Sequence, residues 1–189
     1  TCQQKKLLSI FFQGRCYQES GLRLSSAPLP FLPKFSTITI ESFQPMWFIQ
    51  HDFMSPGYDE LVSLRTAELR IPLGLEFTAD QLEAESDQFH FGLHLLDWQL
   101  IGCLSFRHLG GQKLAMRQVA ISRQFQGRGM GRVLVERAEN WAKKHGFFHV
   151  ELHARQSARP FYTKLDYRAS GDEYVELGIA HINMFKELL

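Results

Sequence analysis

Apolar residues follow two rhythms along the chain, and the switches between them mark the elements. Short apolar or alternating runs predict strands at 45–50, 89–95, 99–106, 114–121 and 147–154, and a closing hairpin at 167–175 and 180–186. Spacings of three and four predict helices instead. Residues 58–70 carry Leu61, Leu64 or Arg65, Glu68 and Leu69 at helical spacing, with Ser55-Pro56 supplying a cap and an N1 proline, and Pro72 as the stop. Thr78 and Gln81 match a capping box that opens a short helix reaching Ser86. The longest stripe is Met130, Val133, Leu134, Ala138, Trp141 and Ala142, which ends on Lys143, Lys144, His145 and Gly146. A last helix is expected over 157–164. Turns fall at Asp97-Trp98 and Gly110-Gly111. This order of strand, two helices, antiparallel meander, long helix and strand predicts an α+β fold, with the strand after the long helix parallel to the one before it.

Between strand 114–121 and the long helix lies Gln126-Gly127-Arg128-Gly129-Met130-Gly131. Three of its six positions lack side chains, so the backbone can adopt left-handed dihedrals and point its N–H groups at an anion. The helix start adds free amides and the positive end of the macrodipole, so a phosphate needs no lysine here. A P-loop would require Gly-Lys-Ser/Thr, which is absent. A dinucleotide fingerprint would require a third glycine where Arg132 stands. The spacing of Gln126, Gly129 and Gly131 is left as a phosphate-binding turn of another kind.

Composition narrows the classes. The chain has 189 residues, 44% hydrophobic and 22% charged, and a formal net charge of +1; these values suit one globular domain and do not suggest a nucleic-acid-binding face. Cys2, Cys16 and Cys103 show neither disulfide nor zinc spacing, so no metal is expected and a reducing, cytoplasmic interior is the default. Apolar runs are far short of the ~20 residues a membrane helix needs. The first forty residues differ, with Lys5, Lys6, Arg15, Arg23 and Lys34 against Glu19 alone, and prolines at 28, 30 and 33. Residues 1–37 therefore read as a basic extension and linker, compatible with organelle targeting, with a loose appendage or with residues upstream of the natural start. The folded domain is expected over 38–189.

Three stretches together resemble the GNAT superfamily of N-acetyltransferases over roughly Met46 to Leu188. The first is the Q/R-x-x-G-x-G/A turn at Gln126–Gly131. The second is Ala158-Arg159-Pro160-Phe161-Tyr162-Thr163-Lys164-Leu165-Asp166-Tyr167, similar to the family's A-x-x-F-Y-x-K-L-G-F. The third runs from Tyr174 through Glu176, Gly178, His181 and Met184 to Lys186 and looks like the ending of an ElaA-like branch. His90 also resembles a histidine of that branch. The sequence departs from the pattern at Asp166 (usually glycine), Arg123 (usually proline) and Arg155 (often an asparagine or glutamine that touches the cofactor). Strand 113–121 lacks the glutamate that some members use as base.

The resemblance implies a mixed, mostly antiparallel sheet flanked by helices, with one splayed parallel strand pair that admits acetyl-CoA. It implies cofactor contacts at Val119, Ala120, Ile121, Gln126, Gly127, Arg128, Gly129, Met130, Gly131, Arg155, Ala158 and Phe161. An amine of pKa ~10.4 must shed a proton at a cost of ~4–5 kcal/mol near neutrality. His153, Glu151 and His181 are the candidate bases, with His90 a further one and a water relay equally admissible. Tyr162 is the candidate acid for the leaving thiolate, and an amide at Val119 or Ala120 the stabiliser of the carbonyl oxygen. Trp98 and Arg107 receive no role. The expected activity is acetyl transfer from acetyl-CoA to a primary amine of a small molecule, peptide or protein, by direct attack in a ternary complex. The alternative is a non-catalytic acyl-CoA-binding regulatory module. No nucleic-acid or membrane partner is expected; proteins of this kind are commonly homodimers.

Overall fold

A computed structural model describes residues 45–188. The expectations for 1–37, and the first positions of the expected domain, lie outside the described residues. Seven strands form one sheet in the order β1-β2-β3-β4-β5-β7-β6. In chain order these are β1 (Trp47–His51), α1 (Pro56–Arg65), α2 (Ala79–Glu83), β2 (Phe89–His94), β3 (Leu100–His108), β4 (Lys113–Ile121), α3 (Met130–Lys144), β5 (His149–Arg155), α4 (Arg159–Thr163), β6 (Arg168–Glu176) and β7 (Ile179–Glu187). Every neighbouring pair is antiparallel except β4 and β5.

Ile101 through Phe106 of β3 are all buried, without alternation, because the strand is covered on both faces. One face meets α1, where Leu61 packs with Cys103 and Ala120. The other meets α3. Trp141 of that helix meets Phe91 edge-on at 4.7 Å and Phe89 at a tilt at 4.9 Å between ring centres, and Leu134, Val135, Ala138 and Ala142 are fully buried around it. Burying Leu134 or Val135 contributes about 1.5–3 kcal/mol and each alanine methyl about 0.8 kcal/mol, so the α3 stripe helps anchor the sheet.

Several ends differ from the sequence pattern for local reasons. Ser55 caps α1 by accepting from the Tyr58 amide at 3.2 Å, with Pro56 at its start, but α-geometry stops at Arg65 and Thr66–Arg70 continues as a wide π turn. Pro72 sits inside a following 3-10 turn, and the stop is Gly74 at φ 67. Thr78 and Gln81 form the expected reciprocal cap. β5 begins at His149, two residues late, because the Phe147 amide donates back to Ala142 and closes α3. α4 shrinks to five residues behind a 3-10 turn over Gln156–Ala158. Asp166 does take the left-handed conformation, at φ 67, that its place in the motif demands.

Candidate active site

The parallel ladder between β4 and β5 stops early. Its last pair is Met116 with Leu152, although β4 continues to Ile121 and β5 to Arg155. The cause lies on the other side of β4. Opposite β3 the register runs from Cys103–Ala120 to Ser105–Arg117, so β4 carries one extra residue, and Gln118 stands at φ 54. Such a bulge bends a strand and raises its twist. Here it turns the end of β4 away from β5.

Two cavities open at this parting and share Val119, Ala158 and Tyr162. The one under the glycine turn, about 700 Å³, is lined by Ile121, Gln126, Gly127, Gly129, Gly131 and Phe161 among others. Gly129 is the N-cap of α3 at φ 80, with no side chain on the first amides and no acid in the first turn. Space is open around Gly127 and Gly129, so backbone N–H groups are reachable from outside. A Cβ on Gly131 would meet the Phe161 ring at 3.3 Å, so glycine there lets α4 approach. These features fit a diphosphate held by main-chain amides.

The turn is braced by a residue that the sequence marks only as a helix position. Glu68, in the π turn, accepts from the Arg123 amide at 2.9 Å and from Gln126 Nε2 at 3.0 Å. Gln126 Nε2 also donates to the Ile121 carbonyl at 2.8 Å, so its side chain holds the turn together. A proline at 123 would have no amide to give Glu68; the departure from the usual motif and the brace belong together. Arg155 Nη2 donates to the Leu69 carbonyl at 3.3 Å, tying β5 to the same π turn. Nothing local announces a partner 55 residues away. Arg132, which in the sequence serves only to exclude two other phosphate motifs, had a signal of its own: a cation in a helix's first turn is disfavoured by the dipole, and it lines the cavity with Lys164. Arg132 Nη2 is held by the Lys164 carbonyl at 3.1 Å.

The second cavity, about 420 Å³, collects Tyr162, His153, His181 and Arg155. Tyr162 is buried, and burial pushes its hydroxyl well above the ordinary value for tyrosine, so it stays protonated. His181 accepts nothing at Nδ1: that nitrogen faces the Ile179 carbonyl at 2.8 Å and must donate, so in the neutral ring the lone pair sits on Nε2. Tyr174 stacks on His181 and meets His153 edge-on. Glu151 lines the adjoining space with His153 but not the cavity holding Tyr162.

Other candidates are placed elsewhere. Ala120 is buried against Cys103 and lines neither cavity. The Ser122 amide donates toward β3, to Ile101 at 2.9 Å, so by strand alternation the Ala120 amide faces β3 and the Val119 amide faces the opening. Arg128 is exposed and Met130 packs on the core; neither lines the cavity beneath the turn. His90 is buried beside Phe53 and Tyr58, its Nε2 donating to the Glu85 carbonyl at 3.0 Å. Among the described residues no cluster of metal-ligating side chains occurs, and no helix is long and apolar enough to cross a membrane.

Residues 75–188 match the family model described as the acetyltransferase (GNAT) domain. The chain belongs to the GNAT acetyltransferase family. Among curated relatives of this GNAT domain, the Bacillus subtilis protein YyaT is 32% identical over 78 residues, 41% of this chain and 53% of YyaT. The chain spans about half the length of the curated relatives it matches. Escherichia coli ElaA superposes with a TM-score of 0.63 at 20% identity, covering 76% of this chain and 99% of ElaA. A Bacillus subtilis acetyltransferase solved in complex with CoA gives 0.60 at 19%, covering 77% of this chain and all of that one. At these identities the superpositions speak to the fold: a mostly antiparallel sheet with one parallel pair, as the sequence led one to expect.

Proposed function

We propose that this GNAT domain is an N-acetyltransferase that moves the acetyl group of acetyl-CoA to a primary amine by direct attack within a ternary complex. The observation that carries this reading is the parting of β4 and β5 beyond Met116 and Leu152, with a cavity on either side and Tyr162 at their junction. Known CoA binding in the Bacillus subtilis structure agrees with the amide-lined turn. The thioester supplies an activated acetyl group. Amides of the Gly127–Gly131 turn and the α3 start hold the diphosphate, with Arg132 and Lys164 alongside, and Ile121, Ala158 and Phe161 flank the arm.

The chain's own groups do the rest. The Val119 amide, facing the opening, meets the negative charge that develops on the carbonyl oxygen. His181 Nε2 takes the proton of the incoming ammonium, directly or through a water, with His153 as the second imidazole on that side. Glu151 adds negative charge that favours the ammonium before it is deprotonated. Tyr162 donates its proton to the departing sulfur. Its raised proton affinity does not preclude this, because burial raises the thiolate's proton affinity too.

Two variants test the reading against a CoA-binding module without catalysis. Gly129→Glu places bulk and charge where the diphosphate sits and at a left-handed backbone; calorimetry is expected to show no CoA binding. Unchanged affinity would move the cofactor elsewhere. Tyr162→Phe is expected to lower thiol release with an amine panel by about 10²–10⁴-fold while CoA affinity holds; full activity would hand the acid role to another group. A wild-type protein that binds acetyl-CoA yet releases no thiol with any amine would favour the module.

A further inference from the structure

The acceptor side of the site has walls of opposite charge, and that polarity selects among amines. The space adjoining Tyr162's cavity is about 460 Å³, the size of a small-molecule site. One wall is basic. Arg107 lies opposite Ala115, and Arg117 opposite Ser105, so the two arginines share one face of the β3–β4 ladder as diagonal neighbours. Arg70 joins them from the end of the π turn, its guanidinium 4.4 Å from the Phe77 ring centre. Among the described residues none of the three forms an ion pair with a carboxylate. The adjoining wall carries carboxylates and imidazoles: Glu151 is brought onto the same face by its register with Ala115, and Glu176, His153 and His181 complete it.

Unpaired like charges around one cavity repel each other, and an anion placed among them removes that cost. A guanidinium also offers paired donors that match a carboxylate or a phosphate. We propose that the acceptor is a small zwitterionic amine: its carboxylate or phosphate is held by Arg107 and Arg117, with Arg70 beside them, while its ammonium end lies against Glu151, His153 and His181. This inference rests on the acetyl-transfer reading of the same site. It disfavours polycationic acceptors such as polyamines and lysine-rich peptides, which would bring further positive charge to the arginine wall.

The test compares matched probes on the full chain: butylamine with 4-aminobutyrate, and ethanolamine with 2-aminoethyl phosphate. Ligand-observed NMR with CoA present reads binding without turnover, and thiol release from acetyl-CoA reads KM. The anion-bearing member of at least one pair is expected to bind about tenfold more tightly and show a correspondingly lower KM than its partner without the anion, with the gap narrowing in high salt. Which pair shows the larger gap distinguishes carboxylate from phosphate. Arg107→Gln and Arg117→Gln should each reduce the preference for the anion-bearing probe by about tenfold, with CoA affinity reporting that the fold survives. Equal binding of probes with and without the anionic group, or a preference that neither substitution moves, overturns the inference. Loss of CoA binding by the wild-type protein would instead overturn the acetyl-transfer reading, while the NMR comparison would still decide the anion preference.

Discussion

Two sets of histidines occupy this sheet, and their surroundings separate them more sharply than their chemistry does. On the β1–β2 side, His90 is buried against Tyr58 and Phe53, and His51 and His94 face each other with Nε2 atoms 3.1 Å apart. Both nitrogens of His94 are engaged, the second with the Trp98 carbonyl at 3.2 Å. On the β5–β7 side, His153 and His181 line a cavity, and His181 keeps one nitrogen unengaged. Any imidazole can carry a proton near neutrality, but one walled in by aromatic rings has no route to a substrate. Position in the sheet therefore encloses one group in packing and leaves the other open to a cavity.

The comparison breaks first at the buried polar cluster behind His90. Arg65 is 1% exposed and pairs with Glu85 at 2.8 Å, while Tyr58 donates to the same carboxylate oxygen at 3.1 Å. Arg65 Nε and Nη2 have no hydrogen-bond partner among the described residues, so Glu85 carries most of the compensation. The guanidinium leans on the Phe77 and Tyr58 rings at 5.2 and 5.7 Å. Glu85→Leu leaves a buried charge alone and is expected to cost about 3–5 kcal/mol in urea unfolding. Adding Arg65→Met should restore most of it, since two apolar groups of similar size demand no solvation. A double variant as unstable as the single would show that the pair has some other structural duty.

The second break falls on the other histidines. His181→Gln is expected to lower turnover by about 10²-fold or more with little change in unfolding midpoint. His90→Phe should do the reverse, lowering stability while leaving turnover per folded molecule near wild type. If both variants lose activity in proportion to stability, the separation between the two sets is not functional.

Much of this was legible in the sequence, and the misses share a cause. Periodicity and capping signals located every strand and α-helix among the described residues, because most of them bury one stripe or one run against a neighbour. The glycine turn was legible because Gly127 and Gly129 take positive φ values that few other residues tolerate, and Asp166 because its place demanded the same. What periodicity could not convey was partnership across the chain. Glu68 reads as one more polar helix position until it lies beside Arg123 and Gln126, and His90 reads as an active-site candidate until Glu85 and two rings enclose it. The π turn is equally silent: Thr66–Arg70 continues a helical pattern, and only its widened backbone brings Glu68 to the turn and Leu69 to Arg155. Local rules govern elements, whereas sites are made where elements meet.

The smallest expected effect concerns pH and separates the two histidine sets without touching activity. Burial lowers the folded-state pKa of His90 below the ordinary 6.5, and burial followed by the neighbouring His94 lowers that of His51. An unfolded chain then binds more protons than the folded one at pH values between the lowered pKa and 6.5. Stability is consequently intact above that range and falls as the solution is acidified through it. The slope is at most about 1.4 kcal/mol per pH unit for one group, and His51, only half-buried, adds less than His90. Urea midpoints measured from about pH 7 down to pH 5 should decline in the wild type and decline less steeply in His90→Phe. The groups facing His90 support this sign: Glu85 offers only its carbonyl to the ring and keeps its carboxylate for Arg65 and Tyr58, so little negative charge is left to favour an imidazolium. A His90→Phe slope as steep as the wild type's would assign the acid sensitivity to other groups and put a charged His90 in the folded core.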